Sequence, residues 1–358
     1  MSILYRFLIR QVFKYTGMIL LVVTGIYLAV DFFEKIDNFM EVGLPLSTSL
    51  IFFIHKIPFI IEQIAPVCLL LAILIVFGLM NKHNEIIALK SCGISVYYLL
   101  MPLIATGALF SFFLFFLSEE IVPVTMAKAN MIWRTEVRKG NAVLSKEKNI
   151  WIKGKGSITH IVYYNFDKKQ IFGMTRNFFD QDFKLIKRID AEKAVFKKGK
   201  WVSESILEQY PDKKNDKLIV KYHDKKTECL DFTPHDLKRV VKKSEEMNFR
   251  EISAYIKKVE DQGYEATRYK VDLYGKTAFP LVCIIMALVG TGIALRVDIK
   301  HSLPASIAYG IGIAFLYWIF YSFCMSLGYG EMLPPVFAAW TGNLVFLCFG
   351  VFTLIGAE

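Results

Sequence analysis

The side chains that could do chemistry in this 358-residue chain are few, and most are cations beside long apolar runs. Lys35 and Lys56 flank the first two runs, and Lys128, Arg134 and Arg138 follow the third. Together they would ring the mouth of a helix bundle with positive charge. Such a ring suits a ligand carrying phosphate or carboxylate, because arginine meets those groups with two parallel N–H donors. A solvated, ion-paired hinge would use the same residues. Glu62 is an acid inside an apolar run, with Lys56 six residues earlier. At that depth an ionisable group either faces the bundle interior and needs a partner, or lies close enough to the surface to be wet.

Catalytic groupings do not emerge. Gly275-Lys276-Thr277 resembles the end of a phosphate-binding loop, but Lys270 stands where its first glycine belongs and no strand precedes it. The histidines His55, His83, His160, His223, His235 and His301 are scattered without metal-ligand spacing. No Ser/His/Asp or Cys/His set can be argued. The expectation is a non-enzyme with no cofactor and no nucleic acid of its own, drawing any energy it uses from another chain.

The elements that position these residues follow from composition. With 54% hydrophobic residues and a mean hydropathy of +0.40, the chain is a membrane protein. A bilayer crossing needs about 20 mostly apolar residues. Six runs qualify: Tyr15 to Phe33, Ile57 to Met80, Cys92 to Ser118, Thr277 to Leu295, Ser302 to Gly330 and Met332 to Ala357. The first is followed by Asp31, Glu34 and Asp37 rather than a small-residue cleavage site, so it reads as a span and not a signal peptide. Arg6, Arg10, Lys14, Lys82, Lys90, Arg296 and Lys300 lie on one side of the spans, which makes that side cytoplasmic along with both termini.

Between the third and fourth runs the sequence changes character. Val122 to Lys270 holds 33 of the 43 Lys and Arg but 21 of the 33 Asp and Glu, a surplus of twelve positive charges. The basic balance therefore belongs to one inserted domain on the far side of the membrane. From Asn149 it breaks into the alternating runs NIWIK, SITHIVYY, QIFGMTRNFF, FKLIKRIDAEKAVF, KWVSESILEQY and DKLIVKYH, with Lys198-Gly199 marking a hairpin. That period predicts an antiparallel sandwich, barrel or jelly roll. Only Cys229 of the six cysteines lies in this domain, so no disulfide closes within it. Asn248 to Gly263 predicts a helix, capped by Asn248 with Glu251, with Ile252, Tyr255, Ile256 and Val259 on its buried stripe.

Two cytoplasmic stretches are amphipathic. Arg6, Arg10 and Lys14 share one helical face and suit a helix snorkelling to the lipid surface, or a partner. In Met80 to Ser95, Asn84 can cap a short helix that Gly93 ends, with Glu85 in its first turn and Lys90 in its last. Its apolar residues Ile86, Ile87 and Leu89 must be covered, by the chain's own spans, by lipid, or by a soluble partner.

Four local stretches then carry a resemblance. DFFEKID after span one, NEIIALKSCGIS between spans two and three, EEIVPVTMAKA after span three and GEMLPPVFAAWTGNLVF entering span six resemble, in that order, the lipopolysaccharide export permeases LptF and LptG. DFFEKID and the LPP turn look more like LptG. The resemblance implies a membrane α + β fold of six transmembrane helices, three before and three after an inserted periplasmic β-jelly-roll domain. Its boundaries would be 1–122, 123–270 and 271–358. It implies an LptF-like partner, a cytoplasmic dimer of the ATPase LptB that binds ATP and Mg, and a periplasmic bridge of LptC and LptA. The transported ligand would be lipopolysaccharide, taken from the inner membrane of a Gram-negative bacterium. The resemblance assigns coupling to the ATPase to Glu85, Ile86, Ala88, Leu89 and Gly93, and contact with lipid phosphates to Lys35, Lys56, Lys128, Arg134 and Arg138. The segment after span one departs from more basic relatives, carrying Asp31, Glu34, Asp37 and Glu41 around Lys35. The competing readings are the LptF role, a secondary transporter, and a membrane receptor or scaffold.

Overall fold

A backbone in hydrocarbon must satisfy its own N–H and C=O groups, so charge-free runs of this length fold as helices. The computed structural model describes residues 3–93, 95–137, 148–154, 156–165, 169–180, 184–197, 200–211, 218–228, 230, 232, 243–261, 265–296 and 303–355. Ten α-helices lie among them: α1 (Ile3–Glu41), α2 (Leu46–Lys82), α3 (Glu85–Ser91), α4 (Val96–Phe116), α5 (Val122–Ile132), α6 (Phe249–Asp261), α7 (Thr267–Ala278), α8 (Val282–Arg296), α9 (Leu303–Tyr329) and α10 (Pro335–Ile355). They supply six helices long and apolar enough to cross a membrane, as expected. The third continues to Ile132 through a π-helical turn, Leu117–Ile121, and a second π turn covers Trp133–Val137. Pro123, the second residue of α5, has no N–H to donate back, and just before it the Val122 N–H reaches the Leu117 carbonyl five residues earlier.

One apolar cluster holds these helices together, including Leu69, Leu70, Ile73, Phe77, Val282, Met286, Val289 and Tyr317. Small residues make the close approaches possible. Ala287, Ala294, Ser306 and Ala314 are all buried, and a Cβ on Gly310 would lie 2.6 Å from Leu74 Cδ1. These small residues are thus explained by helix packing.

The chain divides into two bodies. The transmembrane body comprises Met1–Trp133, Ser244–Lys257 and Glu265–Glu358, and the second comprises Arg134–Lys243 and Lys258–Tyr264. By contacts the second body thus begins at Arg134 rather than 123, and its main stretch ends at Lys243, because α5, the start of α7 and most of α6 belong with the spans. Asn248 caps α6, its Oδ1 accepting from Glu251 N–H at 2.8 Å, and Ile252 and Ile256 are buried. Gly263 lies outside the described residues.

All six alternating runs are strands: β1 (Lys148–Gly154), β2 (Ser157–Asn165), β3 (Gln170–Phe179), β4 (Leu185–Lys197), β5 (Lys200–Pro211) and β6 (Leu218–Glu228). They form one antiparallel sheet in chain order, β1 to β6, with no β1–β6 pairing among the described residues. Lys197 pairs with Lys200 across the expected hairpin, whose two turn residues lie outside the described set, as does Cys229.

This meander is creased. In β2 the buried side chains are Ser157, Thr159 and Ile161, then Tyr164; in β3, Ile171, then Met174 and Arg176. In β4 they are Ile189 and Ala191, then Ala194; in β5, Trp201 and Ser203, then Ile206 and Glu208. Each strand changes its buried parity once, at Val162, Gly173, Glu192 and Ser205. In register these four positions lie on one line, and the ladder skips each of them while keeping the same register on both sides. Gly173 and Ser205 have φ of 65° and 54° there. A strand that changes face with one irregular residue turns a corner, so four aligned corners fold the sheet over its own core. The rings of Tyr164 on β2 and Trp201 on β5 lie 6.2 Å apart, where a flat sheet would separate those strands by about 14 Å. The expected jelly roll thus takes the form of one sheet folded around Ile161, Ile171, Met174, Ile189, Trp201 and Ile206.

Candidate functional site

The loop between the second and third spans folds as expected, with its apolar face redistributed. Asn84 starts α3 through its backbone: it adopts φ 59° and its carbonyl accepts the Ala88 N–H at 3.0 Å. Asparagine tolerates that left-handed conformation better than most residues. Gly93, at φ 76°, ends the helix. Ile86 is buried in the transmembrane core and Leu89 packs against it, so these two anchor the helix to its own spans rather than to a partner. Glu85, Ile87 and Ala88 are exposed, Ile87 by 53%. The face open to another chain is therefore Glu85, Ile87 and Ala88, with Gly93 beyond it.

The cations near the first two spans are brought together by an acid. Lys56 Nζ lies 2.6 Å from Asp31 Oδ2, and Lys35, one turn along α1, pairs with Asp31 Oδ1. The Asp31 side chain is 8% exposed, that of Lys35 25% and that of Lys56 12%. Aromatic rings surround the group: Lys56 Nζ stands 5.7 Å over Phe52, and Trp133 packs 5.6 Å from Phe52 and 5.7 Å from Phe39. The two lysines outnumber Asp31, and although the exposed Glu34 also acts on Lys35, the more buried Lys56 adds positive charge against a low-dielectric wall, a setting that favours an anion. Sequence reasoning saw the acids here as a dilution of the cations and missed that Asp31 aligns them. The i, i+4 spacing of Asp31 and Lys35 was the available signal.

The other expected cations are placed separately. Lys128 is exposed on α5, Arg134 is half-buried at the start of the second body, and Arg138 lies outside the described residues.

Glu62 faces inward, and its partner is not Lys56. It lines a cavity of about 220 Å³ with Gln63, Ser118, Asp272, Lys276 and Tyr329, walled by Phe59, Trp318 and Tyr321. The Ser118 side chain hydrogen-bonds Glu62, and Lys276 interacts with it electrostatically. Lys276 Nζ also donates to the Ser118 carbonyl, at 3.3 Å, in the π turn where helical bonding is irregular. Gly275-Lys276-Thr277 lies inside α7, so Lys276 serves this polar cavity and no phosphate loop exists there. Asp272 and Lys276 escaped sequence reasoning although their spacing places both on one helical face.

A family model described as lipopolysaccharide export system permease LptF/LptG matches residues 6–356. The lipopolysaccharide export system permease protein LptG of Haemophilus influenzae is 22% identical over 334 residues, covering 92% of this chain and 91% of the relative. The protein of the same name from Escherichia coli K12 is 18% identical over 364 residues, covering 99% and 98%.

Proposed function

The chain belongs to the LptF/LptG family of lipopolysaccharide export permeases, and on that premise we propose that it is the LptG-type half of the transporter, driven through α3 by a partner ATPase. It is a multi-pass membrane subunit of lipopolysaccharide export. The curated relatives bearing the LptG name support the G-type role over the F-type. In this reading the loop carrying α3 is cytoplasmic and the folded sheet is periplasmic, passing lipid to LptC- and LptA-like β proteins. ATP and Mg stay on an LptB-like dimer.

One observation carries the coupling role: α3 is anchored by Ile86 and Leu89 while Glu85, Ile87 and Ala88 stand exposed. A seven-residue helix is too short to be stable alone. Fixed to the spans on one side, it can pass a push from a groove on the other. Asp31 holds Lys35 and Lys56 as the pair that meets a lipid phosphate, with Lys128, Arg134 and Arg138 adding attraction further along. Glu85→Lys puts a cation where the groove rim has to accept an acid, and an unpaired charge in an interface is costly. The expected result is at least tenfold loss of co-purifying ATPase or of lipid released per ATP in reconstituted vesicles, with Glu85→Gln milder. Normal assembly and normal coupled export in Glu85→Lys would remove α3 from the coupling role.

A further inference from the structure

We infer that Asp272 is a positioning residue for lipid export, fixing the segment by which the chain returns from the β domain to the end of the fifth span. The inference rests on the ATP-driven permease reading above. Lys243 is the last residue of the longer stretch of the second body and Ser244 the first of the transmembrane body's return. Within six residues that return segment is tied to three separate elements. Ser244 Oγ donates to Asp272 Oδ2 on α7. Glu246, only 4% exposed, accepts from Asn130 Nδ2 on α5 at 2.8 Å. Phe249 N–H, at the start of α6, donates to Glu119 Oε2 in the first π turn at 2.9 Å.

Asp272 extends this set to a further span. Its second oxygen, Oδ1, accepts from Tyr329 OH at 2.7 Å, and Tyr329 is the last residue of α9. One carboxylate therefore bridges the return segment and the fifth span, each oxygen serving one of them. One turn along α7, Lys276 reaches the π turn of the third span, so α7 holds three neighbours through two charged side chains. α9 carries no charge of its own between Leu303 and Tyr329. Its described polar hold on the return segment is thus the Tyr329–Asp272–Ser244 chain. A tilt of α9 displaces Tyr329 hydroxyl, and the shared carboxylate passes that displacement to Ser244, next to the residues of the β domain.

The measurement is lipid released per ATP hydrolysed by the assembled complex with its partner ATPase in vesicles. Asp272→Ala is expected to leave assembly and ATP turnover within about twofold and to lower the ratio at least fivefold. Asp272→Asn keeps one oxygen acceptor and puts an amide donor in place of the other, to which a hydroxyl can turn as acceptor, and should restore most of the ratio. Tyr329→Phe and Ser244→Ala should each lower it, and the double variant should fall no further than the worse single, as members of one chain do. A merely structural role would lower ATP turnover, melting temperature and release together with the ratio unchanged, and that result overturns the inference. If Asp272→Ala fails to assemble, an unchanged ratio in the milder Tyr329→Phe variant overturns it equally. A wild-type complex that hydrolyses no ATP or captures no ATPase refutes the driven-permease reading itself, whatever Asp272 does.

Discussion

The two bodies of this protein each contain a carboxylate held between two lysines, and the two sets are built differently. In the β domain Glu208 accepts from Lys226, from Tyr210 and, at 3.3 Å, from Lys187, with its side chain only 2% exposed. In the transmembrane body Asp31 accepts from Lys35 and Lys56. Charge count does not separate them, since each has one acid and two lysines. Geometry does. Lys226 pairs along the ladder with Ser203, five residues from Glu208, and reaches it only because the crease folds β5 and β6 over the core. Glu208 is a keystone of a folded sheet, enclosed by its donors. Asp31 instead lines up two cations beside aromatic rings, the arrangement on which the proposed phosphate contact rests.

The strongest test removes the keystone. Glu208→Ala removes the buried acceptor of three charged or polar donors, of which Lys226 is 42% and Lys187 23% exposed and can turn to water, so the loss is about 2–3 kcal/mol. Pulse proteolysis of the full-length protein in detergent should show the strands β2 to β5 opening far more readily, and Glu208→Gln should lose less. The pH dependence has a defined sign. Burial alone would raise the Glu208 carboxyl, but the bonds from Lys226, Tyr210 and Lys187 outweigh it and hold it down at about 2, from an ordinary 4.5. A lowered carboxyl contributes stability that is complete above pH 4.5 and is lost as pH falls toward 2. The gap between wild type and the Gln variant should therefore stay constant from neutral pH down to about 5 and close below 4.5. A gap that persists undiminished below pH 3 would assign the cost to packing, which does not titrate.

The next test strikes the crease that brings those donors together. Gly173 has φ 65°, and a Cβ there would stand 2.9 Å from Val162 Cγ2, a stiff side chain. Gly173→Ala should cost about 2 kcal/mol through the left-handed backbone alone, more if Val162 cannot yield. Ser205 already pays a left-handed penalty in the neighbouring corner, so Ser205→Gly should be neutral or slightly stabilising. Equal losses in both variants would show that the corners depend on side chains rather than on backbone conformation.

Legibility in the sequence followed the same division. The six spans and six strands were readable because hydropathy and period 2 are local signals. The crease was not, although Gly173 inside an alternating run was a pointer to a bend. The alignment of four irregular residues on four strands exists only once the register is known. In the site, the cations were found and their arrangement was not. Lys56 lies nearer in sequence to Glu62, yet it belongs to Asp31, because α1 and α2 run side by side. Likewise Ile86 and Leu89 carried the right periodicity for a partner face, but the nearest apolar surface was the chain's own.

The smallest expected effect is the one that separates the two acids most sharply. Asp31→Asn keeps the size of the side chain and its hydrogen-bonding oxygen while removing the charge between Lys35 and Lys56. In the β domain the equivalent change weakens the fold, because the buried Glu208 carboxylate joins Lys187 on β4, Tyr210 on β5 and Lys226 on β6. At Asp31 the lysines are half-buried at the end of a helix pair, and a phosphate can take the place the carboxylate held. The net charge of the cluster becomes more positive by one, which strengthens its attraction for an anion and also slows its departure. Photocrosslinking to lipopolysaccharide should rise about threefold, which corresponds to under 1 kcal/mol at 1.4 kcal/mol per decade. ATP-driven release should slow by a similar factor, and Lys56→Glu should reverse both trends. Should Asp31→Asn instead lower capture and make the transmembrane body more sensitive to protease, Asp31 would be a second keystone, and the phosphate role would pass from Lys35 and Lys56 to other cations.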